Sequence, residues 1–257
     1  MKLPYFDLSG KVAVITGGAT GIGRGISDGL ADAGASVVLC ARRINVLEEA
    51  CAEIAQKTGV KTLPHRLDIT STDEINTLVN DVVKEFGHID ILVNNAGVGG
   101  SEKPILEMSE EDWDNTVNTD LRGIFLLSQA VGKEMVKQGT GGKVINVASI
   151  GGEIIFPNMS AYCASKGGVI QLTKVMALEW IRYNIQVNAI LPGYIETPMN
   201  THFFATDVGK KIIKKNIPMN RLGQQDEMKG LAVYLASPAS SFMTGSAIII
   251  DGGQTCW

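Results

Sequence analysis

Tyr162 and Lys166 stand four residues apart, and Ser149 lies thirteen residues before the tyrosine. On a helix, residues four apart share a face, so the phenol and the ammonium can enter one pocket. A free tyrosine has a pKa near ~10 and is a poor acid or base at neutral pH. A cation held close favours the phenolate, and a serine hydroxyl beside it can hold a carbonyl or alcohol oxygen. This is equipment for moving a proton on or off a secondary alcohol. The Tyr-x-x-x-Lys spacing alone is also what a half-buried tyrosine and a snorkelling lysine give, so the surrounding elements must decide.

Those elements alternate. Short apolar, β-branched runs at Val12–Thr16, Ser36–Ala41, Lys61–Leu67, Ile89–Asn94, Gly142–Ala148, Ile185–Leu191 and Ala247–Ile250 read as strands. Continuous apolar runs of this length suit parallel strands covered on both faces. Helical patterns fill the gaps, over 21–33, 44–58, 71–87, 109–138, 160–183 and 224–237. Ser71 and Ser109, each followed by acidic residues, read as N-caps, and Asn184 as a left-handed C-cap. The alternation predicts an α/β fold: a Rossmann-type, doubly wound, seven-stranded parallel sheet with helices on both faces. No linker or repeat divides residues 1–257, so one domain is expected. The rhythm breaks at 194–223, where an insertion at the carboxyl edge of the sheet reads as a substrate lid.

The first strand runs into Thr16-Gly17-Gly18-Ala19-Thr20-Gly21-Ile22-Gly23, which opens a helix. A strand, a glycine loop and a helix N-terminus let a pyrophosphate approach the backbone. The spacing is G-x-x-x-G-x-G, and no Gly-Lys-Ser/Thr follows, which disfavours a phosphate-loop kinase or GTPase. At the end of the second strand a carboxylate would bind the ribose 2′-hydroxyl and select NAD. Here Ala41 is neutral and Arg42 and Arg43 follow. A guanidinium at that place suits a 2′-phosphate, so NADP is favoured, with Arg42 the better ligand. Ordinary solvated arginines at a helix start remain the alternative.

Composition limits the choices further. Hydrophobic residues make up 45% and charged residues 19%, as in a soluble protein with a sizeable core. A net charge of −4 gives no field to recruit nucleic acid or an anionic membrane. Cys40, Cys51, Cys163 and Cys256 show no metal-ligand spacing, and His65, His88 and His202 are scattered. Reduced thiols, a cytoplasmic location and no metal site are the expectation. The N-terminus does not read as a signal peptide, and no apolar run reaches membrane-spanning length.

Taken in order, seven motifs resemble the short-chain dehydrogenase/reductase family across nearly the whole chain. They are Thr16–Gly23, Asp68-Ile69, Asn94-Asn95-Ala96-Gly97, Asn118, Ser149, Tyr162-Cys163-Ala164-Ser165-Lys166 and Pro192-Gly193-Tyr194-Ile195-Glu196-Thr197. The resemblance implies that Asp68 and the Ile69 backbone meet the adenine, and that Asn95, Ala96 and Gly97 line its ribose. Gly17, Thr20, Gly21 and Gly23 would form the phosphate loop, with Ile22 under the nicotinamide. Ile195 and Thr197 would hold its carboxamide, and Pro192 and Gly193 would shape the turn that presents these contacts. For catalysis it makes Tyr162 the general acid/base, Ser149 the holder of the substrate oxygen and Lys166 a ligand of the nicotinamide ribose. Asn118 would fix a helix irregularity and anchor a proton-relay water. A homotetramer, paired through the two long helices, is implied as well.

Within the family the chain is similar to 3-oxoacyl-(acyl carrier protein) reductases and to gluconate 5-dehydrogenases. A 3-oxoacyl thioester is the first expectation for the substrate, and a sugar acid or polyol the alternative. A catalytically silent dinucleotide sensor is disfavoured because Asn118, Ser149, Tyr162 and Lys166 are all present. Val98-Gly99-Gly100, Phe156, Asn158, Tyr194, Met199 and Phe203-Phe204 could complete the pocket, although the two phenylalanines equally suit a subunit interface. The basic run Lys210–Lys215 suits either a carrier-docking helix or a solvated face. Trp257 is expected against a neighbouring element.

Overall fold

A strand buried along its whole length needs cover on both faces. The computed structural model, which describes residues 4–256, supplies that cover; Trp257 lies outside the described residues. The strands are β1 (Val12–Thr16), β2 (Ser36–Ala41), β3 (Thr62–Arg66), β4 (Ile91–Asn94), β5 (Gly142–Val147), β6 (Ile185–Pro192) and β7 (Ala247–Ile250). They form one seven-stranded sheet in the order β3-β2-β1-β4-β5-β6-β7, with every pair parallel. The chain leaves β1 towards β2 and later returns on β1's other side to make β4. That reversal opens a crevice at the carboxyl ends of β1 and β4, where this class of sheet binds ligands.

Successive strand residues face opposite layers. Ala13 and Ile15 of β1, with Val37 and Leu39 of β2, join a core containing Ile26, Leu30, Leu47, Ile54 and Leu235. Those partners belong to α1 (Gly21–Asp32), α2 (Ile44–Thr58) and α9 (Lys229–Ala236). Val12, Val14, Val38 and Leu92 face the other way, against Ile75, Leu78, Leu127, Val131, Met135 and Met176. These lie on α3 (Thr72–Phe86), α5 (Gly123–Gln138) and α6 (Ser160–Trp180).

The expected caps are present. Ser71 Oγ accepts from the Glu74 amide at the start of α3. Ser109 and Asp112 form a reciprocal capping box on α4 (Glu110–Val117). Asn184, at φ 58°, ends the single turn that follows α6.

The helix irregularity expected at Asn118 takes a definite form. The segment 109–138 is not a single regular helix: α4 and α5 are joined by a wide π turn over Asn118–Arg122, in which the Gly123 amide donates to the Asn118 carbonyl. Gly123 is needed there, because a Cβ would meet Ile69 Cγ2 at 2.9 Å. The insertion between β6 and α9 carries two further helices, α7 (Thr201–Ala205) and α8 (Asp207–Asn216). Among the described residues no helix is long and apolar enough to cross a membrane.

Candidate active site

The glycine loop is held shut by neutral hydrogen bonds. Thr16 Oγ1 accepts from the amides of Asn95 and Ala96, both at 3.0 Å. Asn95 Nδ2 donates to the carbonyls of Thr16 (2.9 Å) and Gly17 (3.2 Å). The Asn95 side chain is therefore a brace between the end of β4 and the loop. Gly17 and Gly21 have φ of 65° and 57°, and a Cβ on Gly23 would fall 2.1 Å from the Gly17 carbonyl.

Thr20 is the extended N-cap residue of α1, yet its side chain does not cap the helix. The first amides and the positive end of α1 are thus directed at an anion. A dinucleotide pyrophosphate fits this cradle.

The flanking residues converge on the same crevice. Ile22, partly buried, packs against the first core. Thr197 reaches over Gly21, where its Cγ2 would touch an added Cβ at 3.2 Å. Pro192 ends β6, the Gly193 amide donates to Ile250 O at 3.0 Å, and Ile195 is buried beside Gly223. At the far side, Asp68 Oδ1 accepts from the Thr70 amide and hydroxyl. Those two bonds, helped by Arg42 and Arg66, hold the Asp68 carboxyl below its ordinary range. Arg42 is exposed at the end of β2, with its charge felt at Asp68. Ile69 is buried under Gly123.

The catalytic candidates lie around the start of α6. Ser149 is buried after β5, and its Oγ accepts from the Gly151 amide at 3.0 Å. Gly151 is wedged between rings: a Cβ there would lie 3.1 Å from Tyr162 Cε1 and 2.9 Å from Phe156 Cε2. Ser149 and Tyr162 are thereby brought to one wall. Lys166 Nζ is 5.5 Å from the Tyr162 ring centroid and 3.4 Å from the Val147 carbonyl.

A further residue joins this group that the sequence reading missed. The carboxylate of Asp120 is fully buried, with Oδ2 3.3 Å from Lys166 Nζ and Oδ1 accepting from the Val98 amide at 2.7 Å. Burial pushes the Asp120 carboxyl up, against the opposing pull of Lys166 and the Val98 amide. Asn118, expected to serve Lys166, makes no side-chain hydrogen bond among the described residues; it contributes the carbonyl of the π turn. Asp120, two residues on within the turn, approaches Lys166. One sequence signal was available: Asp120 continues the stripe of Ile124, Leu127 and Val131, all fully buried, and a carboxylate on such a stripe needs a partner.

Behind the site, side chains tie α5 and α6 to the sheet. Asn94 Nδ2 donates to Ser128 Oγ and to Asn146 Oδ1, both at 2.8 Å. Asn146 Nδ2 then donates to Thr173 Oγ1 at 2.8 Å. This buried chain sets α6, and with it Tyr162 and Lys166, relative to β4 and β5.

The 194–223 insertion meets the wall through aromatic rings. Phe156 stacks on Tyr194 at 6.0 Å, and Tyr194 meets Phe204 at 5.2 Å. Phe204 is packed with Ile217 and Leu222 in a small core of the insertion, whereas Phe203 and Met199 are exposed. Of the basic run, Lys210 and Lys214 border a cavity of about 970 Å³ shared with Glu196, Arg221 and Glu227. Neither Ser149, Tyr162 nor Lys166 lines that cavity.

A doubly wound sheet with an anion-directed helix at its switch point, beside a Ser–Tyr–Lys wall, defines a dinucleotide-dependent oxidoreductase. Comparisons with known proteins agree. The family model described as enoyl-(acyl carrier protein) reductase matches residues 17–255. The chain is 43% identical to 2-dehydro-3-deoxy-D-gluconate 5-dehydrogenase of Escherichia coli, over 98% of each chain. It is 39% identical to a 3-oxoacyl-(acyl-carrier-protein) reductase of Thermotoga maritima, over 96% of this chain and 98% of that one. The crystal structure of a gluconate 5-dehydrogenase from Burkholderia cenocepacia, in complex with NADP and tartrate, superposes with a TM-score of 0.93. That match has 35% identity and covers 99% of this chain and 98% of the other. The chain belongs to the short-chain dehydrogenase/reductase family and is an oxidoreductase acting on CH–OH groups.

Proposed function

We propose that the protein interconverts a secondary alcohol and a ketone on a sugar acid, with NADP as its cofactor. The observation that carries this is the higher identity to the 2-dehydro-3-deoxy-D-gluconate 5-dehydrogenase than to the 3-oxoacyl reductase, each over nearly the whole chain. It reverses the order expected from the sequence, where a 3-oxoacyl thioester came first. The gluconate 5-dehydrogenase neighbour crystallised with NADP supports the cofactor preference, as does Arg42 at the end of β2.

In this reading the chain's residues do three things. The α1 amides with Gly17, Gly21 and Gly23 receive the pyrophosphate, and Arg42 receives the 2′-phosphate. Ser149 holds the substrate oxygen in line with the Tyr162 hydroxyl. Tyr162 gives its proton to that oxygen during reduction and takes it back during oxidation, while the Lys166 cation favours the phenolate left behind. A bound nicotinamide supplies or accepts the hydride at the carbon. Positioning does the remainder. Exposed Phe125, Val175 and Leu178 on α5 and α6 support a homotetramer paired through those helices.

Purified protein offered keto-sugar acids and 3-oxoacyl thioesters with NADPH, followed at the reduced-nicotinamide absorbance, tests the substrate class. We expect kcat/KM for a keto-sugar acid to exceed that for any thioester by about tenfold or more. The opposite ranking overturns the sugar-acid reading. Tyr162→Phe should lower turnover by about a hundredfold or more while leaving cofactor binding intact.

A further inference from the structure

We propose that Asp120 is the charge partner of Lys166: its buried carboxylate holds the ammonium beside the Tyr162 ring, cancels part of its field at the phenol, and so sets the pH range in which the site oxidises an alcohol. The inference rests on the Tyr162–Lys166 chemistry above and adds a positioning residue to it.

The geometry leaves Asp120 little else to do. It is fully buried, as is nearly all of Lys166, and the two approach to 3.3 Å. Oδ1 is taken by the Val98 amide, while Oδ2 has no hydrogen-bond partner among the described residues and faces the ammonium. Gly97 seals the pair from the β4 side: an added Cβ would meet Asp120 Oδ2 at 3.2 Å and Lys166 Nζ at 3.3 Å. The π turn over Asn118–Arg122 carries this carboxylate.

Among the described residues no other charge competes for the position. From α6, Asp120 faces Lys166 and, beyond it, Tyr162. On α4, Glu110, Glu111 and Asp114 are exposed, and Asp112 is bound to Lys103 and Ser109. Arg122, on the turn itself, is exposed and donates to the Thr70 carbonyl. On α5, Lys133, Glu134 and Lys137 come at least nine residues after the turn ends, and all pair locally.

An ammonium with a carboxylate at this distance presents a much weaker positive field than an ammonium alone. The phenolate is then less favoured, and the site needs a higher pH to act as a base. Burial raises the pH at which Asp120 takes a proton, and below that pH the carboxylate's contribution disappears. The wild type then resembles an enzyme without the charge.

The test is the pH dependence of kcat/KM for alcohol oxidation in the wild type, Asp120→Asn and Asp120→Ser, with Tyr162→Phe as control. Both uncharged variants should move the midpoint of the limb that rises with pH towards acid by about one pH unit, whatever happens to the plateau. A lowered plateau with an unmoved midpoint means a purely structural role and overturns the inference. Should neither variant fold, the wild type decides through 13C-labelled tyrosine. The Tyr162 Cζ resonance, assigned by its loss in Tyr162→Phe, should show a second inflection where Asp120 titrates. A single inflection overturns the inference equally. Failure of the underlying chemistry looks different, because Tyr162→Phe would then retain turnover.

Discussion

Two ends of one crevice are built from different materials. At the glycine loop every contact that fixes the chain is neutral: Thr16 and Asn95 join backbone amides and carbonyls across β1 and β4. About the Tyr162 wall, the decisive contact is a buried ion pair between Lys166 and Asp120. The loop must present fixed donors to an anion, and neutral amides do so across a wide pH range. Proton transfer instead needs a phenol whose ionisation responds to its surroundings, and only charges in a low-dielectric site give that control. The comparison assigns binding to shape and chemistry to charge.

Gly23→Ala should break the loop end most severely. Its Cβ would fall 2.1 Å from a backbone carbonyl that cannot step aside. Cofactor affinity, read by fluorescence titration, is expected to fall about a hundredfold. The polar scaffold behind α6 comes next. Asn146→Ala strips Asn94 and Thr173 of buried partners, and urea unfolding should show a loss of about 2–3 kcal/mol.

Arg42→Ala sharpens the cofactor assignment. KM for NADPH should rise about tenfold, with that for NADH little changed. Equal effects on both would remove Arg42 from the 2′-phosphate.

The smallest effect concerns a lysine far from the site. Half-buried Lys143 donates to Ser240 Oγ, and burial lowers its pKa to about 8. A lysine depressed in the folded state penalises folding most fully below that value, and the penalty fades as pH rises to the ordinary lysine value of 10.5. Lys143→Met should therefore raise Tm at neutral pH by about 2–4 °C, and the gain should shrink as pH rises through that window.

Most of the sheet was legible because parallel strands covered on both faces must be apolar throughout. β1 and β6 read directly from Val12–Thr16 and Ile185–Leu191. The glycine loop was legible for a related reason, since Gly17, Gly21 and Gly23 occupy places where a side chain is strained or blocked. The π turn was legible only as an irregularity expected at Asn118; its span over Asn118–Arg122 comes from the backbone hydrogen bonds. Asp120, two residues after Asn118, went unread until its hydrogen bond from the Val98 amide and its approach to Lys166 located it. Asn95 was assigned to the ribose from its place in a motif. Only the contacts reveal that its amide braces the loop. The substrate class stayed ambiguous because the wall of Phe156, Tyr194 and Phe204 carries shape and few fixed charges.

One pH series tests the division between the two ends most directly. Cofactor Kd and kcat/KM for alcohol oxidation would be measured on the wild type in the same buffers, from about pH 7 to about pH 9.5. The account predicts a Kd that stays within about threefold while kcat/KM climbs about tenfold or more along a single limb. A Kd that moves in step with kcat/KM, or a rate that ignores pH, would contradict it.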